Sequence, residues 1–148
     1  EDEYLAVIRG KTAELFAAAC EVGPVIAGSP KAGAAACRSY GLNLGIAFQL
    51  IDDALDYGGS SGALGKNTGD DFREGKITLP VILAWRRGTA EDRTFWRDAI
   101  EGGKSDDANL ERAFSLISRY GGLTDTIARA QHYGMIARDA LTTLPAGP

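Results

Sequence analysis

Asp52-Asp53-Ala54-Leu55-Asp56 sets three carboxylates inside a long apolar stretch, where a helix that only fills a core has no use for them. On a helix turning by about 100° per residue, Asp52, Asp53, Asp56 and Gln49 fall within one arc of roughly 100°. Carboxylates so placed repel one another unless a cation lies between them. Their hard oxygens suit Mg²⁺, which keeps several waters and is typically held by one or two carboxylates together with phosphate oxygens. A solvated acidic face is the other reading. It is the weaker one, because the negative end of the helix dipole disfavours anions there.

The Gly-rich run that follows, residues 58–71, carries Lys66, with Arg73 and Lys76 beyond it. It could fold back over the carboxylates and bring positive charge to a metal-bound polyphosphate; a surface connection without chemistry stays open beside that reading. The pattern GxxxxGK[ST] is absent around Lys66, so this is not a Walker loop. Near the N-terminus, Thr12 falls in the apolar stripe formed by Tyr4, Leu5, Ile8, Leu15, Phe16 and Ala19, with Lys11 on its edge. Lys11 is either a snorkelling lysine or a cationic arm reaching an anion, with the Thr hydroxyl beside it.

These residues need long helices to hold them, and the periodicity between Gly and Pro breaks is near 3.6 throughout. The pattern predicts a first helix over residues 3–22, stopped at Gly23-Pro24, and an N-cap at Ser29 with Pro30 in the first helical position. A long helix then reaches Tyr57, about 42 Å at 1.5 Å per residue. A loop is predicted over residues 58–75, then helices over 78–87, 89–101 and 106–120, and a last one from about Thr124 to before Pro145. The fold class is all-α.

Gly33, Gly41 and Gly45 inside the long helix oppose it by roughly 3 kcal/mol together. Either a neighbouring helix packs closely against them or an elongated apolar ligand does. Phe48, Leu55, Leu44 and Ile51 occupy the sector beside the carboxylates.

Composition narrows the alternatives. Sixteen Lys and Arg against twenty Asp and Glu give a net charge of −4, with both signs mixed, which argues against nucleic acid as a partner. The uncharged run between Arg38 and Asp52 is too short for a transmembrane segment. Cys20 and Cys37 read as two free thiols, and a reducing cytoplasmic location follows. His132, Trp85 and Trp96 read as packing or surface residues, and Asp106-Asp107 as a helix cap.

Lys11-Thr12-Ala13-Glu14-Leu15-Phe16, the stretch from Phe48 to Tyr57, and Leu64-Gly65-Lys66 through Asp71-Phe72-Arg73-Glu74-Gly75-Lys76-Ile77-Thr78-Leu79-Pro80 together resemble the trans-isoprenyl diphosphate synthases, the polyprenyl synthetase family. The match covers residues 1–85 in the family's order. The wording from Gly69 to Lys76 is most similar to bacterial long-chain members that make quinone side chains.

The resemblance implies an isoprenoid synthase helical bundle that elongates an allylic diphosphate with isopentenyl diphosphate, using Mg²⁺. Carried onto this chain, it gives Asp52, Asp53 and Asp56 to the metal, with Asp52 foremost and Asp56 in support. It gives Lys11 and Lys66 to diphosphate oxygens and places Gln49 beside the allylic diphosphate. Thr12 would face the developing allylic cation, and Lys76 would act as an outer electrostatic partner. The family's first aspartate-rich motif and its isopentenyl-binding basic cluster have no counterpart here. The chain therefore reads as the C-terminal half of a longer enzyme, homodimeric as the family commonly is, and inactive by itself. A noncatalytic subunit paired with an active partner, and a terpene cyclase relative, are the competing readings.

Overall fold

The computed structural model describes residues 1–58 and 68–145. Helix is the only regular structure among them, as the periodicity predicts: α1 (Asp2–Ile8), a π turn (Arg9–Ala13), α2 (Glu14–Ile26), α3 (Lys31–Gly58), α4 (Asp70–Arg73), α5 (Leu79–Arg87), α6 (Ala90–Ile100), α7 (Asp107–Arg119), α8 (Gly122–Ala140) and a 3₁₀ turn (Leu141–Thr143). Among the described residues no helix is long and apolar enough to cross a membrane.

The chain forms two compact units, one of Asp2–Leu50 with Ala128–Pro148, the other of Glu1 with Ile51–Ile127. In the first unit the predicted stop at Pro24 fails: α2 runs through it to Ile26. Pro24 removes one N–H from the helical ladder, and the helix continues only two residues past it. Gly28, at φ +68°, ends the helix instead. Its N–H donates to the Val25 carbonyl at 3.2 Å and that of Ser29 to the Pro24 carbonyl at 2.9 Å, the paired bonds of a Schellman stop.

The π turn overturns the predicted apolar stripe of the first helix. The Glu14 N–H donates to the Arg9 carbonyl, five residues back. The buried positions accordingly run Ile8, Ala13, Ala17, with a step of five before the usual step of four. Leu15, predicted to face inward, is 73% exposed. An angular count at 100° per residue cannot cross a turn that holds an extra residue.

Gly41 and Gly45 settle the choice between helix and ligand. A Cβ on Gly41 would lie 2.4 Å from the Phe16 carbonyl oxygen, and one on Gly45 would lie 2.7 Å from the Ala13 Cα. A neighbouring helix therefore fills this space. Arg38 strengthens the same pairing, donating to Glu14 at 2.5 Å and Glu21 at 3.0 Å. Cys20 and Cys37 are both free thiols.

The second unit is built on an apolar core of Phe72, Val81, Phe95, Trp96, Leu110, Leu116 and Ile117. The Trp96 ring meets Phe72 and Phe95 edge-on, with centroids 6.2 and 5.3 Å away. Thr89 caps α6 through a capping box with Asp92, and Asp106 caps α7 by accepting the Asn109 N–H. Two boundaries differ from expectation. The segment predicted as loop contains the one-turn helix α4, and α8 opens at Gly122 rather than Thr124. Gly121, at φ +65°, makes the turn, and its carbonyl accepts the Asp125 N–H at 3.1 Å.

Candidate functional site

In the first unit, the π turn carries Lys11 and Thr12. Lys11 is exposed and Thr12 half-buried. The Thr12 hydroxyl donates to Gln49 Oε1 on α3 at 3.0 Å. This bond depends on the close approach at Gly45: only without a Cβ there can Ala13 sit so near α3. Beside it Phe48 stacks on Phe16 at a centroid distance of 5.5 Å, yet leaves 56% of its surface exposed.

In the second unit, the last turns of α3 carry the acidic residues, in three different settings. Asp52 is exposed, Asp53 is 3% exposed, and Asp56 is half-buried. Burial therefore splits the predicted arc: Asp53, at its edge, is buried while Asp52 is exposed. Asp56 accepts the N–H groups of Asp70 at 3.2 Å and Asp71 at 3.1 Å. Burial and the nearby Asp71 charge push the Asp56 carboxyl above its ordinary value, against the pull of those two N–H donors. Among the described residues no three acidic, His or Cys side chains gather closely enough to hold a metal by themselves.

The positive charges expected opposite these carboxylates are already engaged. Lys76 donates to Asp71 at 2.9 Å and pairs with Glu74 at 2.6 Å. Those partners, Glu74 foremost, raise its ammonium above the ordinary lysine value. Arg73 bonds Asp107, Asp70 and the Thr68 carbonyl. The sequence reading offered both cations to a polyphosphate; it missed Asp71, whose place five residues before Lys76 was the available signal. Lys66 lies outside the described residues.

Below the acidic end, the Tyr57 and Thr78 hydroxyls are buried without a hydrogen bond of good geometry. Burial raises the Tyr57 phenol well above its ordinary value. Elsewhere, Trp85 is 43% exposed under the Arg93 guanidinium, while Trp96 is buried.

The described residues define an all-α fold, whose longest helix carries three carboxylates near its C-terminal end. Residues 1–117 match the polyprenyl synthetase family, and the chain belongs to that family. It is 42% identical over 148 residues to the octaprenyl diphosphate synthase of Escherichia coli, covering all of this chain and 46% of that one. The decaprenyl diphosphate synthase of Rhodobacter capsulatus superposes with a TM-score of 0.92 at 51% identity, covering 99% of this chain and 45% of its own. The polyprenyl synthase of Caulobacter crescentus, solved with calcium and isoprenyl diphosphate, gives a TM-score of 0.91 at 52% identity, over 97% and 44% of the two chains. The chain thus spans somewhat under half the length of the relatives it matches.

Proposed function

We propose that residues 1–148 are the C-terminal part of a single polyprenyl synthetase domain, in an enzyme that condenses an allylic diphosphate with isopentenyl diphosphate. The observation that carries this reading is the exposed Asp52 carboxylate, with Asp56 one turn further along α3, in a chain of this family. The donor set fits Mg²⁺ as a partial one: hard carboxylate oxygens, too few to enclose an ion, which water and diphosphate oxygens would complete. Asp52 would hold the ion with Asp56 in support, and buried Asp53 would add negative field from within. When bound, the ion supplies Lewis-acid charge that stabilises a departing diphosphate.

The chain's own residues bind and orient. Lys11 and Lys66 supply ammonium groups to diphosphate oxygens. Gln49 would contact the allylic diphosphate, and its Oε1 fixes Thr12 by accepting a hydrogen bond from the hydroxyl. With that proton committed, the Thr12 oxygen keeps its lone pairs for positive charge developing on the allyl group. Lys76 acts from further out, its charge tempered by Asp71 and Glu74. In the reaction the allylic C–O bond breaks, a C–C bond forms to the isopentenyl double bond, and the released diphosphate takes the proton lost. The full-length enzyme is proposed to work as a cytoplasmic homodimer, as its family resemblance suggests.

The test is product formation from labelled isopentenyl diphosphate, an allylic diphosphate and Mg²⁺. The 148-residue chain alone is expected to make none, and the full-length protein to make polyprenyl diphosphates. Robust product from the chain alone contradicts the division proposed. Activity only after mixing with a separate homologous chain favours the noncatalytic-subunit reading instead.

A further inference from the structure

Helix α4 has a defect that its own sequence cannot repair. The first amides of any helix lack intrahelical acceptors, and here the preceding residue is Gly69, which has no side chain to cap them. Gly69 stands at φ +85°, with its Cα turned toward the Leu110 side chain. The acceptors all belong to a single residue near the end of α3, Asp56. The Asp56 backbone carbonyl takes the Gly69 N–H at 2.9 Å, its Oδ1 takes the Asp70 N–H at 3.2 Å, and its Oδ2 takes the Asp71 N–H at 3.1 Å.

Three consecutive amides thus end on a single residue. Asp71 then carries the connection onward: its backbone carbonyl accepts the Lys76 N–H at 2.8 Å, and its carboxylate accepts the Lys76 ammonium at 2.9 Å. Asp56 fixes the amide side of Asp71, and Lys76 is held by the acidic side. Both Asp56 carboxylate oxygens point at α4 in doing so.

We propose that Asp56 is a positioning residue, which anchors α4 to the end of α3 and thereby sets the Asp71–Lys76 pair in place. This rests on the function proposed above only for the purpose the pair serves; the anchoring itself is independent of it. It gives content to the supporting role of Asp56: that support is mechanical and passes through Asp71, whereas a direct bond to the ion belongs to Asp52.

Amide hydrogen exchange in the metal-free protein tests the anchoring without any substrate. Asp56→Ala is expected to speed exchange at Gly69, Asp70 and Asp71 by roughly tenfold or more, leaving buried α3 amides such as that of Leu50 unchanged. Asp56→Asn keeps one side-chain acceptor oxygen, so it should restore protection at one of Asp70 and Asp71 but not at both. Acylation of the Lys76 amine should also quicken in Asp56→Ala relative to Lys31. Unchanged exchange at Asp70 and Asp71 in both variants overturns the proposal, as does unchanged Lys76 reactivity. Mg²⁺ binding is read separately: absence of binding by the unmodified protein would defeat the proposed function while the exchange result still decides the role of Asp56.

Discussion

The Thr12 hydroxyl and Gln49 Oε1 lie 3.0 Å apart, joining a π turn to the middle of the longest helix across 37 residues of sequence. A bond of this kind in a half-buried setting contributes about 0.5–1.5 kcal/mol net. Thr12→Val keeps the shape and deletes the donor. A double-mutant cycle of Thr12→Val with Gln49→Leu, read by chemical denaturation, is expected to give a coupling energy in that range; additive effects would mean the bond is not formed in solution.

Gly45 and Gly33 should respond to alanine in opposite ways. A Cβ at Gly45 would stand 2.7 Å from the Ala13 Cα, a backbone atom that can yield only if the π turn shifts. Gly45→Ala is therefore expected to destabilise by about 1–3 kcal/mol, with the Thr12–Gln49 bond lost as well. At Gly33 the nearest atom is the Leu144 Cδ2 at 3.7 Å, an ordinary contact. Gly33→Ala should be neutral or stabilise by up to about 1 kcal/mol through helix propensity. Thermal melts of the two variants side by side make the comparison.

The acid limb of stability should contain a signature of Asp92. Hydrogen bonds from the Tyr120 hydroxyl and from the Thr89 backbone and side chain hold its carboxyl below the ordinary value of 3.8. The folded form thus binds its proton less readily than the unfolded one, so the contribution is complete above about pH 3.8 and is lost as pH falls through the lower folded value. Asp92→Asn should lower the melting temperature near neutral pH and flatten its decline below about pH 4. A decline of unchanged steepness in the variant would contradict this.

Much of this fold is written locally. Thr89 and Asp106 announce their caps, Gly58 and Gly121 mark the ends of helices, and the 3.6 period identifies every long element. What escaped the sequence reading depends on neighbours. Pro24 weakens its helix without stopping it, and the stop falls four residues later at Gly28, where the backbone turns to positive φ. The π turn exists opposite Gly45, so it is a property of two segments 32 positions apart. The split of Asp52 from Asp53 likewise follows from which side of α3 meets the core. The carboxylates at the end of α3 were conspicuous because charged residues stand out in an apolar helix; that Lys76 is already paired was not, since Asp71 reaches it only through α4.

The central claim is that the acidic end of α3 takes diphosphate through Mg²⁺, and calorimetric titration with inorganic diphosphate addresses it most directly. The unmodified protein is expected to bind diphosphate in the presence of Mg²⁺ and not in EDTA, with Asp52→Ala weakening the metal-dependent binding by roughly tenfold or more. Equal affinity in the two proteins, or binding indifferent to Mg²⁺, would contradict the account.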